Sequence, residues 1–170
     1  MTKTTVELSP EQANALDLLR SGENVFLTGG AGSGKSFLIR QFMRELDPKV
    51  MPILASTGAA AVLLGGRTFH SFFGLGIMEG GPDSTYQRAS KDTKLMARLR
   101  KVEGVIIDEI SMIPGQALMI AEALSQKARE SNLPWGGMRI IAVGDFAQLP
   151  PVTHSGPRDW CFLNPVWHQT

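Results

Sequence analysis

Cysteine is almost absent, with Cys161 the single one in 170 residues. No internal disulfide can form, so a disulfide-stapled secreted fold is excluded. An excess of either charge is lacking too. The net charge is +1, so composition gives no sign of a polyanion partner and any such case rests on individual residues. No apolar run approaches the roughly 18 residues of a membrane span. Residues Met1 to Glu7 lack the apolar core of a signal peptide. Repeats and low-complexity tracts are missing, and His70, His154 and His168 show no metal-ligand spacing. What remains is an intracellular soluble protein. The 170 residues, 43% of them hydrophobic, suit one domain with a sizeable core.

One stretch organises the chain. Gly29-Gly30-Ala31-Gly32-Ser33-Gly34-Lys35-Ser36 follows the apolar run Val25-Phe26-Leu27 and precedes apolar residues at helical spacing. Strand, glycine loop and helix are the context in which G-x-x-x-x-G-K-[ST] binds phosphate. Glycines let successive N–H groups point inward, and the helix N-terminus adds partial positive charge. Gly30, Ala31, Gly32, Ser33 and Gly34 thus form a phosphate cradle. Lys35 can reach the β- and γ-phosphates of ATP, and the Ser36 hydroxyl can ligate Mg²⁺.

Upstream, Leu8-Ser9-Pro10-Glu11-Gln12 reads as a helix start. Ser9 caps, Pro10 takes the first position, and Gln12 completes a capping box. Leu16 and Leu19 face inward and Gly22 ends the helix. Downstream, strands are expected over 51–55, 105–107 and 139–143. Helices are expected over 59–64, 68–73, 92–102 and 114–129. Gly74 to Ser90, rich in glycine, reads as a loop, and the tail from Thr153 shows no periodicity. Lys91, Lys94, Arg98 and Lys101 form a basic stripe, which is read as a solvated helix face. Alternating strands and helices predict a mostly parallel α/β sheet with helices on both faces. The polar motifs all follow carboxyl ends of strands, where such sheets bind ligands.

Asp108 follows buried aliphatics, where a carboxylate can hold Mg²⁺ through water. Glu109 beside it can orient or deprotonate an attacking water. Gln148 follows another strand end, and its amide can bond both a γ-phosphate and a water. Thr57, Gly58, Thr68, His70 and Ser71 offer hydroxyls and N–H groups that suit nucleic-acid phosphates or helix caps, and chemistry alone leaves both open.

Together these segments resemble a family. Leu-Ser-x-Glu-Gln, the glycine loop, Ala-Ser-Thr-Gly-Ala-Ala-Ala, Thr-Phe-His-Ser-Phe-Phe-Gly-Leu-Gly, Ile-Asp-Glu-Ile-Ser-Met and Gly-Asp-Phe-Ala-Gln-Leu-Pro-Pro-Val occur in that order. The pattern, over about Leu8 to Trp167, resembles the first motor domain of Pif-one (petite integration frequency) DNA helicases of superfamily one. The resemblance implies a RecA-like P-loop fold in which the 139–143 strand lies between the phosphate-loop strand and the Asp108 strand. It implies that Gln12 contacts adenine, that Lys35 and Ser36 serve phosphate and Mg²⁺, and that Asp108 serves the metal. Glu109 would activate water, Gln148 would sense the γ-phosphate, and Thr57, Gly58, Thr68, His70 and Ser71 would follow a single DNA strand.

The implied activity is ATP-driven 5′-to-3′ movement on single-stranded DNA by a monomer, with forked and G-quadruplex DNA as substrates. The setting would be repair, recombination or replication, in the cytoplasm or nucleoid of a bacterium or phage, or in a nucleus or mitochondrion. Such helicases close ATP between two motor domains, and the second supplies arginines. No arginine follows Arg158, so the expectation is one motor domain without its second half. A helicase loader, or a nucleotide-gated single-strand binding module, would use the same residues.

Overall fold

The computed structural model describes residues 7–152 and 157–170. His154 lies outside the described residues. Helix α1 (Pro10–Arg20) starts with the expected capping box, Ser9 accepting from the Gln12 N–H and Gln12 Oε1 accepting from the Ser9 N–H. Strand β1 (Val25–Leu27) leads through the glycine loop into α2 (Lys35–Met43). Then follow β2 (Ile53–Ala55), α3 (Gly58–Leu64), β3 (Arg67–Thr68) and α4 (Phe69–Phe72). After these come α5 (Gly81–Ala89), α6 (Thr93–Lys101), β4 (Gly104–Ile107), α7 (Gly115–Arg129) and β5 (Arg139–Val143).

All strand pairs are parallel, in the order β1-β5-β4-β2-β3. β5 therefore lies between the phosphate-loop strand and the Asp108 strand, as expected. Alternation along the strands divides the core. Leu54, Val105, Ile107, Ile140 and Ala142 pack with Phe69, Leu95, Leu99, Leu118 and Leu124 from α4, α6 and α7. Ile53, Ile106, Ile141 and Val143 face the other way, onto Leu16, Leu19, Leu38, Ile39 and Phe42 from α1 and α2. Helices thus cover both faces of the sheet, and every ligand-type motif falls along one edge.

Three sequence expectations change. Residues 74–90 are not all loop. Gly80 sits at a φ of 82° before α5, with Pro82 in its first turn, so glycine and proline begin a helix there instead of breaking one. The two-residue β3 is an additional edge strand that pairs with β2. Arg98 does not belong to the solvated stripe. Its guanidinium donates to the Phe72 carbonyl and lies 5.1 Å from the Phe72 ring centroid.

The tail is also ordered over its described part. Asp159 caps α7, its carboxylate accepting from the Gln116 N–H at 2.8 Å. Phe146 is held in a ring cluster, with centroids 5.5 Å from Phe26, 5.3 Å from Trp167 and 4.8 Å from Phe162. Cys161 is buried, and desolvation pushes its thiol pKa up to about 12, so it stays an unreactive protonated thiol. Among the described residues no helix is long and apolar enough to cross a membrane.

Candidate nucleotide site and the neighbouring groove

The loop between β1 and α2 turns through Gly29, Gly32 and Gly34, with φ values of 151°, 77° and 90°. L side chains rarely adopt such angles. At Gly34 there is a second constraint, because a Cβ would lie 2.6 Å from Gln12 Nε2. That amide donates to the Ser33 carbonyl at 3.2 Å. Gln12 therefore joins the cap of α1 to the backbone of the phosphate loop, a link that the capping-box reading alone did not contain. Lys35 Nζ donates to the carbonyls of Gly29 and Gly30. The ammonium is thus held by the backbone of the loop itself.

Opposite the loop stand two further side chains. Ala31 to Ser36 and Phe37 line one wall of a cleft of about 310 Å³, and Glu109 and Gln148 line the other. Glu109 follows β4 with a φ of 52°. A left-handed glutamate costs of order 1 kcal/mol or more and persists where neighbouring structure over-determines it. It ends the strand and starts the tight turn Ile110–Met112. Burial raises the Glu109 pKa, with repulsion from Asp108 adding to the rise and Lys35 opposing it. Asp108 is also raised, by burial first, against the Glu109 N–H, Lys35 and Arg40. Two neighbouring carboxylates with raised pKa values beside a cation are a functional-site signature. Gln148 reaches the cleft from the loop after β5, where its Nε2 donates to Asp145 Oδ2 at 3.0 Å.

A second groove, of about 420 Å³, opens on the same edge of the sheet near β2. Thr57 and His70 line it with Ser56, Met112, Pro114 and Val152, and Ile77 lies exposed at its side. Burial lowers the His70 pKa, which favours the neutral ring. The other expected residues divide by role. Thr57 Oγ1 caps α3 by accepting from the Ala60 N–H, and Thr68 Oγ1 caps α4 by accepting from the Ser71 N–H. Gly58 opens α3 with free space where a Cβ would be. Ser71 is exposed and its hydroxyl accepts from Arg67 at 3.3 Å. Thr57 thus caps α3 and also lines the groove, while Thr68 and Ser71 lie outside it.

The family model for PIF1-like helicases matches residues 7–167. The chain belongs to the PIF1-like helicase family. It is 91% identical over 162 residues to the ATP-dependent DNA helicase Pif1 of Bdellovibrio bacteriovorus, covering 95% of this chain and 37% of that relative. Against the human ATP-dependent DNA helicase PIF1 it is 37% identical over 168 residues, covering 98% of this chain and 26% of the relative. The fold superimposes on the Pif1 helicase of Candida albicans with a TM-score of 0.88 at 38% identity, covering 97% of this chain and 38% of that one. It also matches the Bacteroides Pif1 helicase in complex with ADP-AlF3 and single-stranded DNA, with a TM-score of 0.79 at 31% identity over 96% of this chain and 40% of that one. The chain therefore spans about 37% of the Bdellovibrio relative, and its fold is that of PIF1-like RecA motor domains.

Sequence reasoning missed three members of these sites. Asp145, two residues past the end of β5 where Asp108 directly follows β4, had a similar positional signal and was passed over. Met112 and Ser56 line the groove; both lie inside the motifs Ala-Ser-Thr-Gly-Ala-Ala-Ala and Ile-Asp-Glu-Ile-Ser-Met but were given no role, and the Ser56 hydroxyl lies 3.5 Å from the Met112 sulfur.

Proposed function

We propose that this chain is the ATP-binding first motor domain of an ATP-dependent DNA helicase that moves 5′ to 3′ on single-stranded DNA. The single observation that carries the reading is the cleft in which Ala31 to Ser36 face Glu109 and Gln148. Inward-turned glycines and Lys35 suit a triphosphate. The Ser36 hydroxyl and the Asp108 carboxylate are hard oxygen donors that fit Mg²⁺, an ion that keeps several waters and shares phosphate oxygens. The ion would neutralise charge building on the phosphates. Lys35 binds the β- and γ-phosphates after leaving the Gly29 and Gly30 carbonyls. Glu109, its pKa raised by burial, takes a proton from water, and Gln148 positions that water against the γ-phosphate. Gln12, bonded to the loop at Ser33, would contact the adenine. A strand-binding module without turnover would need no base at Glu109.

Under this reading Thr57, Gly58, Thr68, His70 and Ser71 carry one DNA strand along the sheet edge. The second motor domain of the same helicase closes over the cleft. Forked and G-quadruplex DNA are the natural substrates of the monomer, inside the cell, in repair, recombination or replication. Contacts from neutral hydroxyls and a neutral His70 predict weak, salt-sensitive and sequence-tolerant strand binding. Fluorescence anisotropy with several oligonucleotides at two salt concentrations checks it. Strong base preference, or equal affinity for blunt duplex, contradicts it.

The same reading sets the activity of the 170-residue chain alone. It should bind Mg²⁺-ATP, hydrolyse it slowly, and fail to unwind a tailed duplex. An arginine from outside typically contributes roughly 10³–10⁵ in rate, and gripping and releasing a strand takes two domains that close around ATP. DNA-stimulated ATPase and strand-separation assays, run beside a two-domain protein bearing this domain, test it. Robust unwinding by the chain as a monomer overturns the proposal.

A further inference from the structure

We infer that Asp145 is a positioning residue for the ATPase reaction, fixing which end of the Gln148 amide faces the reacting phosphate. The inference rests on the reading of Gln148 given above. The two ends of a glutamine amide are alike in size and opposite in chemistry, one accepting and one donating. A free amide can turn over, and a turned amide would present N–H groups where the attacking water needs an acceptor.

Asp145 removes that freedom. Its Oδ2 accepts from Gln148 Nε2 at 3.0 Å, and its Oδ1 accepts from the Ala147 N–H at 2.9 Å. The Gln148 N–H closes the turn onto the Asp145 carbonyl at 3.0 Å. An ionised carboxylate only accepts, so the NH₂ end of Gln148 must face it. The same bonds, first the Ala147 N–H and then Gln148, hold the Asp145 pKa below the usual carboxylate range. The carboxylate thus stays charged wherever the enzyme works. Oε1 and the second N–H of Gln148 are left for the cleft that this residue lines. That pair fits one water to be held by its hydrogen and one γ-phosphate oxygen.

The turn itself is anchored. Phe146, between the two residues, is packed against the rings of Phe26, Phe162 and Trp167. Phe26 belongs to β1, the strand that feeds the phosphate loop. The carboxylate that holds Gln148 is therefore fixed relative to the loop opposite.

Asp145→Asn separates orientation from folding. Its Oδ1 still accepts from the Ala147 N–H, so the turn survives, while its NH₂ now meets Gln148 and selects the reversed amide. In a full-length helicase bearing this domain, Gln148→Ala is expected to lower kcat roughly 100-fold, as loss of one oriented transition-state contact does. Asp145→Asn should lower kcat at least about 10-fold with the KM for ATP unchanged, the pattern of a contact made only in the transition state. Added to Gln148→Ala, Asp145→Asn should cost nothing more, because its effect runs through that amide. An equal further loss in the Gln148→Ala background overturns the inference, as does unchanged kcat in Asp145→Asn while Gln148→Ala is impaired. Unchanged kcat in Gln148→Ala instead removes the sensor reading, and the inference falls with it. The unmutated chain gives an independent measurement. Its Gln148 side-chain amide should show one N–H proton shifted downfield and slow to exchange in ¹⁵N NMR. Two fast-exchanging protons overturn the inference without any variant.

Discussion

Lys35→Ala should weaken Mg²⁺-ATP binding roughly 100-fold or more, a loss of about 3 kcal/mol. Lys35 supplies the one flexible cation on the loop wall of the cleft. Each charge-assisted bond to a phosphate oxygen is worth about 1.5–3 kcal/mol, and under the proposed function the ammonium would meet two phosphates. The fold should survive the change. The bonds that Lys35 makes are to the loop carbonyls of Gly29 and Gly30, outside both hydrophobic clusters, where water can replace the ammonium. Titration with a fluorescent nucleotide, beside a melting curve, measures both. Unchanged affinity would remove the phosphate site from the Gly29–Ser36 loop.

Glu109→Gln should separate binding from turnover. In a full-length helicase bearing this domain, the amide keeps the size of the side chain and its place in the cleft. It cannot take a proton, so hydrolysis should fall by roughly 10²–10⁴. Mg²⁺-ATP affinity should hold or rise slightly, because the change removes a negative charge beside Asp108. The pH dependence follows from the direction of the shift. Burial and Asp108 raise the Glu109 pKa, so the protonated, inactive form accumulates at a higher pH than for a free glutamate. Hydrolysis by the unmutated enzyme should therefore decline on the acid side above the usual glutamate range, and the residual activity of Glu109→Gln should lack that limb. Steady-state ATPase against pH checks both statements. Near-normal hydrolysis with tight binding would move the base elsewhere.

The cleft was legible in the sequence because its parts are local. The glycine loop and Asp108-Glu109 follow aliphatic strands closely and Gln148 lies in the loop after another, and a parallel sheet brings such ends together on one edge. The order of the strands was not readable from periodicity; the family resemblance supplied it. β3 escaped because two residues show no alternation. α5 escaped because Gly80, Gly81 and Pro82, which punctuate loops, here form the start of a helix. Arg98 was misread because its charge placed it with the lysines, whereas its long stem let the guanidinium fold back onto Phe72. The Gln12 link to Ser33 joins segments 21 residues apart, whose relative placement no spacing rule encodes, whereas the Asp145 bond to Gln148 is local to one turn and was passed over.

The groove lined by Thr57 and His70 was half legible. Hydroxyls at helix starts were expected either to cap or to bind phosphates, and Thr57 caps α3 while lining the groove. Thr68 and Ser71 are engaged with each other and with Arg67 instead. A DNA strand reaching them would have to compete for those bonds, which agrees with the weak affinity expected of this edge.

The most direct measurement is a crystal structure of this chain with Mg²⁺ and a non-hydrolysable ATP analogue. The account predicts triphosphate density inside the Gly29–Ser36 loop and Lys35 Nζ moved from the Gly29 and Gly30 carbonyls to the β- and γ-phosphates. It further predicts the ion against Ser36 with Asp108 in its water shell, and Gln148 facing the γ-phosphate. Nucleotide bound elsewhere, or bound at the loop with Lys35 still on the two carbonyls and Glu109 turned away, would contradict it.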